Sequence, residues 1–243
     1  MLPLITLEDH FISDAVSTSV PFQEFRLDMF PPDTKANLFD VGERRLKEMD
    51  KGNVSIMVVS HVPVEAAVTP EICRRSNGQL RKSVQDNKTR FAGFAQLPMN
   101  DPKAAAVELS RCVKDLQFVC ALVGCHTAGQ FYDSEDYWPV WEKAQELDVP
   151  IYIHPSFVAE DQKSHYTGNY PDNVATALSG YGWGWHSDVG LHFLRLFVSG
   201  VFDRFPRLKI IIGHNGEMLP YMLDRIDHFA KLWGHRERNL KTV

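Results

Sequence analysis

The sequence is short of several things, and each shortage removes a class of function. Basic residues do not dominate: 26 Lys and Arg stand against 31 Asp and Glu in 243 residues, a formal net charge of −5. That balance leaves no nucleic-acid footprint, which needs a basic patch, and no polybasic segment for an anionic membrane. No apolar run reaches the roughly 20 residues that span a bilayer. Residues 1–8 lack the basic flank and long apolar stretch of a secretory signal, so a cytoplasmic location is expected. Cysteine is scarce. Cys73, Cys112, Cys120 and Cys125 include no Cys-x-x-Cys pair, and reduced, mostly buried thiols are expected rather than a disulfide framework. Internal repeats and low-complexity linkers are absent too. With 44% hydrophobic residues, positions 1–243 read as one domain with one sizeable core.

What is present is an alternation. Short apolar runs rich in β-branched residues lie at 4–7, 54–60, 91–97, 119–125, 149–154 and 208–212. Helical segments are predicted between them at 43–50, 71–87, 101–116 and 137–147, the third entered through Asp101-Pro102. Nearly continuous apolar strands alternating with helices predict a parallel sheet with helices outside it. The connection at 156–187, rich in Gly, Tyr and Trp, is much longer than the rest and reads as a lid or binding loop.

Residues able to do chemistry fall at strand ends. Glu8 and His10 close the first strand, and a two-residue period sends both to one side. His154 closes the fifth strand before Pro155, and His214 follows the sixth. Each could be a solvated strand end or a structural histidine taken alone. Three strands delivering His or Glu to the rim where barrel active sites are built favour a divalent ion such as Zn²⁺ or Mn²⁺. Glu217, three residues beyond His214, is placed to reach back to the imidazole if a helix begins near Gly216. The alternative is a first-turn glutamate favoured by the helix dipole. His126 is a pocket candidate, and Phe157, Tyr181, Trp183 and Trp185 could wall a pocket for a planar substrate or simply pack the long connection. His186 stands out among the remaining histidines, which otherwise suit surface or packing roles; His61 reads as structural or exposed.

The stretch Leu7-Glu8-Asp9-His10-Phe11 resembles the first-strand motif of the hydroxybenzoate decarboxylases, including the γ-resorcylate and 2,3-dihydroxybenzoate enzymes, within the amidohydrolase superfamily. Ser199-Gly200-Val201-Phe202-Asp203-Arg204-Phe205-Pro206, Gly213-His214-Asn215-Gly216-Glu217 and Asp224-Arg225-Ile226-Asp227 are similar to the same group, with aminocarboxymuconate semialdehyde decarboxylases more distant. The resemblance implies a (β/α)8 barrel and a catalytic divalent metal (Zn, Mn or Mg) on Glu8, His10 and His154. It also implies His214 and Glu217 as a catalytic pair beside the substrate, and a homo-oligomer. Substrate contacts are expected from His126, Phe157, Trp183, Trp185 and His186. The implied reaction is loss of CO2 from an ortho-hydroxybenzoate-type acid, in which a carboxylic acid protonates the ring carbon. The chain departs from the family's usual Pro-Gly-x-Gln after the second strand, reading His61-Val62-Pro63-Val64-Glu65. Six strand signals are present, so a barrel truncated after strand six is expected. Strands seven and eight, and the aspartate ligand that the resemblance puts on strand eight, would be missing and catalysis impaired. Hydrolysis of a lactone or cyclic amide, and a non-catalytic binding role, are the alternatives.

Overall fold

The computed structural model describes residues 3–21, 27, 30–64 and 68–230. Its frame is a parallel sheet of six strands: β1 (Leu4–Phe11), β2 (Val54–His61), β3 (Phe91–Gln96), β4 (Cys120–Gly124), β5 (Ile151–His154) and β6 (Ile210–Ile212). They run in the spatial order β1-β2-β3-β4-β5-β6, and every neighbouring pair is parallel. The sheet curls as half of a barrel. Around it stand α1 (Asp14–Ser17), α2 (Thr34–Phe39), α3 (Glu43–Lys51), α4 (Pro70–Asp86), α5 (Pro102–Lys114), α6 (Trp138–Leu147), α7 (Asp172–Ser179), α8 (Gly184–Val198) and α9 (Val201–Arg204). After β6 come a distorted turn, α10 (Gly213–Gly216), and α11 (Leu219–Ala230).

The strand period divides the side chains of β2 to β5 between two clusters. Val58, Phe94, Cys120, Leu122 and Tyr152 pack with one another in one cluster. Their neighbours Val59, Ala95, Ala121, Val123, Ile151 and Ile153 belong to a larger cluster that includes Leu80 of α4, Leu109 of α5 and Trp141 of α6. Burial on both faces explains why these strands read as continuous apolar runs. Helix entries are capped as their sequences direct. Thr69 accepts from the Ile72 N–H ahead of Pro70, and Asp101 accepts from Ala104 N–H at 3.0 Å ahead of Pro102. All four cysteines are free and buried. Among the described residues no helix is long and apolar enough to cross a membrane.

Two expectations about local structure change. β1 runs one residue past His10, to Phe11, and its second half pairs with Val59, Ser60 and His61 of β2. The long connection at 156–187 is not an open loop: it holds a 3-10 segment (Glu160–Tyr166), α7 and the first turn of α8. Its glycines permit the tight return between α7 and α8, where a Cβ on Gly184 would run into the Ser179 carbonyl.

Candidate active site

The C-terminal ends of β1, β5 and β6 bring four side chains together, and a break in β1 aims the first of them. The β1–β2 register shifts between Thr6 and Asp9, and Glu8 sits at φ +66°, in the left-handed region that a non-glycine residue adopts at a cost. Glu8 Oε1 lies 3.0 Å from His154 Nε2, 3.1 Å from His214 Nε2 and 3.7 Å from His10 Nε2. The Tyr152 hydroxyl donates to the other oxygen, Oε2. The space is tight: a Cβ on Gly213 would collide with the Tyr152 hydroxyl. The end of β1 is held from below by Arg45, whose guanidinium donates to the His10 carbonyl at 2.7 Å.

The donor set fits a divalent cation. His154 Nδ1 faces the Pro155 carbonyl at 2.7 Å and must donate to it, which leaves Nε2 with a bare lone pair. That lone pair points at the Glu8 carboxylate and at His10 Nε2, 3.1 Å away. His10 Nδ1 in turn meets Ser60 Oγ at 3.0 Å. Lone pairs converging on one point repel unless a cation lies between them. The ligand atoms of Glu8, His10 and His154 all fall within 4.8 Å of one another. Imidazole nitrogens backed by a carbonyl and a hydroxyl, with one carboxylate, are the ligands that Zn²⁺ and Mn²⁺ take. Burial pulls the His10 imidazole down to about 4, so the ring is neutral near pH 7, as a ligand must be. Burial alone would raise the Glu8 carboxyl, but the imidazoles of His10, His154 and His214 around it outweigh that and hold it far below the usual carboxylate range.

Beside this centre is a second arrangement. His214 Nδ1 donates to Glu217 Oε1 at 2.7 Å, while its Nε2 faces Glu8. The hydrogen bond to Glu217, then that to Glu8, raises the His214 imidazole to about 10. The sequence placed Glu217 on the first turn of a helix. The contact instead comes from a left-handed run through His214 (φ 45°), Asn215 (φ 61°), Gly216 (φ 80°) and Glu217 (φ 55°), ahead of α11. Such a run is strained, and strain of this kind collects at functional sites. His186 meets the second oxygen of Glu217.

A cavity of about 320 Å³ opens over the centre, a volume suited to a small ligand. Glu8, His10, His154 and His214 line it together with Phe157 and Trp185. Three of the expected substrate contacts lie away from this lining. Trp183 is 52% exposed and precedes α8, so its ring faces solvent instead of the cavity. His126 is buried but off the cavity lining, where its Nδ1 accepts from Gly129 N–H and closes the turn after β4. His186 is also off the lining and acts on Glu217 instead. His61 is structural: its Nε2 accepts from Ser13 N–H at 2.9 Å. His192 is a fully buried packing residue, and His235 lies outside the described residues. Leu38, Val62 and Pro63 complete an apolar wall that sequence reasoning did not assign, and Ser60 and Tyr152 were likewise missed. The run Ile151-Tyr152-Ile153-His154 carried a signal for Tyr152, a polar tip inside an otherwise apolar strand.

The chain is similar to several known proteins. The profile of a family described as amidohydrolase matches residues 44–241. The decarboxylase orsB of Emericella nidulans is 46% identical over 99% of this chain and 74% of its own length. A γ-resorcylate decarboxylase of a Polaromonas species is 40% identical over 92% of this chain and 70% of its own. A crystal structure of dihydroxybenzoic acid decarboxylase from Polaromonas, with bound manganese and the inhibitor 2-nitroresorcinol, superposes with a TM-score of 0.81 at 38% identity. That match covers 96% of this chain and 71% of the other.

Proposed function

We propose that this chain, which belongs to the amidohydrolase family, is a metal-dependent carboxy-lyase that releases CO2 from an ortho-hydroxybenzoate-type aromatic acid. The observation that carries the reading is the convergence of Glu8, His10 and His154 on one point at the floor of a cavity with an aromatic wall, with the His214–Glu217 pair alongside. Decarboxylase relatives, one of them with manganese and a resorcinol inhibitor in its crystals, support it.

Glu8, His10 and His154 would hold the metal, Zn, Mn or Mg. When bound, it supplies Lewis acidity and a template for the acid's oxygens. The rest of the work falls to the chain's own groups. Ser60 and the Pro155 carbonyl fix the two imidazoles with Nε2 toward the centre. Tyr152 holds the Glu8 carboxylate by its other oxygen. Phe157 and Trp185, edge to face at 5.1 Å, offer an apolar surface for a planar ring and keep water from it. In the reaction the bond between the ring carbon and the carboxylate carbon breaks, CO2 leaves, and the electron pair left on the ring carbon takes up a proton. His214, held at Nδ1 by Glu217, keeps its Nε2 proton next to the centre. The proposal includes a single amidohydrolase-like domain over 1–243, a cytoplasmic location and a homo-oligomeric assembly. It includes no nucleic-acid or membrane partner.

The test is a substrate panel on the manganese-loaded protein: 2,6- and 2,3-dihydroxybenzoate on one side, small lactones and cyclic amides on the other. CO2 release from a hydroxybenzoate without lactone hydrolysis is expected. Hydrolysis of a lactone with no CO2 from any acid would overturn the reading in favour of a hydrolase.

A further inference from the structure

The Glu217 side chain is completely buried, and burial of a carboxylate is costly unless both oxygens find donors. One oxygen is met by His214 Nδ1 at 2.7 Å. The other is met by His186 Nδ1, from a residue 31 positions earlier in the chain. The second nitrogen of His186, Nε2, faces the Tyr181 carbonyl at 3.1 Å. Both ring nitrogens therefore face acceptors, and each is placed to donate. The two imidazoles stand nearly perpendicular, at 84° with centroids 5.7 Å apart, and grip one carboxylate from two sides.

His186 does not itself line the cavity, but its neighbour in sequence does. It follows Trp185, which lines the cavity and packs edge to face with Phe157 at 5.1 Å and with Tyr181 at 6.1 Å. The carbonyl that His186 engages is that of Tyr181, in the same turn. One side chain thus joins the α7–α8 turn, which brings an aromatic wall to the cavity, to the buried pair beside the proposed metal ligands.

We propose that His186 is a positioning residue: it clamps the second oxygen of Glu217 and so fixes His214, coupling the turn that carries Trp185 to the catalytic pair. Its activity readout rests on the decarboxylase reading above; its spectroscopic readout does not. Without this clamp Glu217 keeps a single donor, and the His214 ring loses its fixed orientation.

Two variants separate positioning from bulk. His186→Phe keeps a ring but removes both donors, whereas His186→Asn keeps a donor near the Nδ1 position. In the manganese-loaded enzyme, His186→Phe should lower kcat about tenfold or more, with KM and metal content nearly unchanged. His186→Asn should stay within about threefold of the wild type, and His186→Phe should add nothing to Glu217→Gln. In the magnesium-loaded protein, the NMR signal of the His214 Nδ1 proton should shift or broaden in His186→Phe and remain in place in His186→Asn. Wild-type kcat in His186→Phe with the signal unmoved would overturn the proposal, as would multiplicative losses in the double variant. If the wild type releases no CO2, the decarboxylase reading falls. The His214 signal in the two variants then decides the positioning role by itself, and an unmoved signal in His186→Phe refutes it.

Discussion

Removing the hydroxyl of Ser60 is the sharpest perturbation available near the centre without touching a proposed ligand. Ser60 is fully buried on β2, and its Oγ lies 3.0 Å from His10 Nδ1. In Ser60→Ala that nitrogen keeps its hydrogen with nothing to receive it, or passes it to Nε2 and loses the lone pair a metal needs. An unsatisfied buried donor costs about 1–3 kcal/mol. At about 1.4 kcal/mol per factor of ten, that range corresponds to roughly a 5- to 150-fold change in binding. It brackets the loss of about 10- to 100-fold found when partners behind metal-binding histidines are removed. The assay is manganese titration against a fluorescent chelator, with a thermal melt of the same samples. The expected result is a Kd raised by about tenfold or more while the fold persists. A Kd within about twofold of the wild type would refute the reasoning, because His10 would not then depend on Ser60 for its orientation.

Two further predictions concern the scaffold. Asn77, buried on α4, donates to the Gln96 carbonyl and to Glu108 and accepts from Gln96 N–H, at 2.7–2.9 Å. Asn77→Ala leaves both backbone groups at the end of β3 unpaired and should cost about 3 kcal/mol, read as a lower urea midpoint with an unchanged slope; a loss under about 1 kcal/mol would contradict it. Burial pulls His192 down to about 3, so the folded chain keeps this ring neutral where the unfolded chain protonates it. Its contribution is present in full above the unfolded value of about 6.5 and is lost as the pH falls from there toward 3. Urea unfolding at pH 7 and pH 5 should show a pH-dependent loss about 2 kcal/mol smaller in His192→Gln than in the wild type. An equal loss in both proteins would count against the buried neutral ring.

Much of the frame was legible because it rests on local periodicity. The runs at 54–60, 91–97 and 119–125 fall on β2, β3 and β4, and Asp101-Pro102 starts α5. His154 was visible because Pro155 follows the fifth apolar run. Other features depend on contacts that spacing does not encode. A simple two-residue period put Glu8 and His10 on one side, but Glu8 reaches its position through a left-handed residue and a register shift. Glu217 was expected to reach His214 from a helical turn and does so from a left-handed bend. The 156–187 stretch hid α7 and the start of α8 because its Gly and Trp content outweighs a weak helical pattern. Nothing near Trp183 in sequence signals that its ring points outward while that of Trp185, two residues on, lines the cavity. Ser60, Tyr152 and Arg45 act on β1 across 50, 144 and 35 residues of chain, beyond the reach of any local pattern.

The central claim is that Glu8, His10 and His154 bind one divalent ion on which decarboxylation depends. The most direct measurement is the rate of CO2 release from 2,6-dihydroxybenzoate plotted against manganese bound per chain, for the wild type and Glu8→Gln. Wild-type release should rise in proportion to bound manganese and saturate at one ion per chain, while Glu8→Gln should retain little manganese and release little CO2. Equal manganese content in the two proteins, or undiminished CO2 release after the metal is stripped, would contradict it.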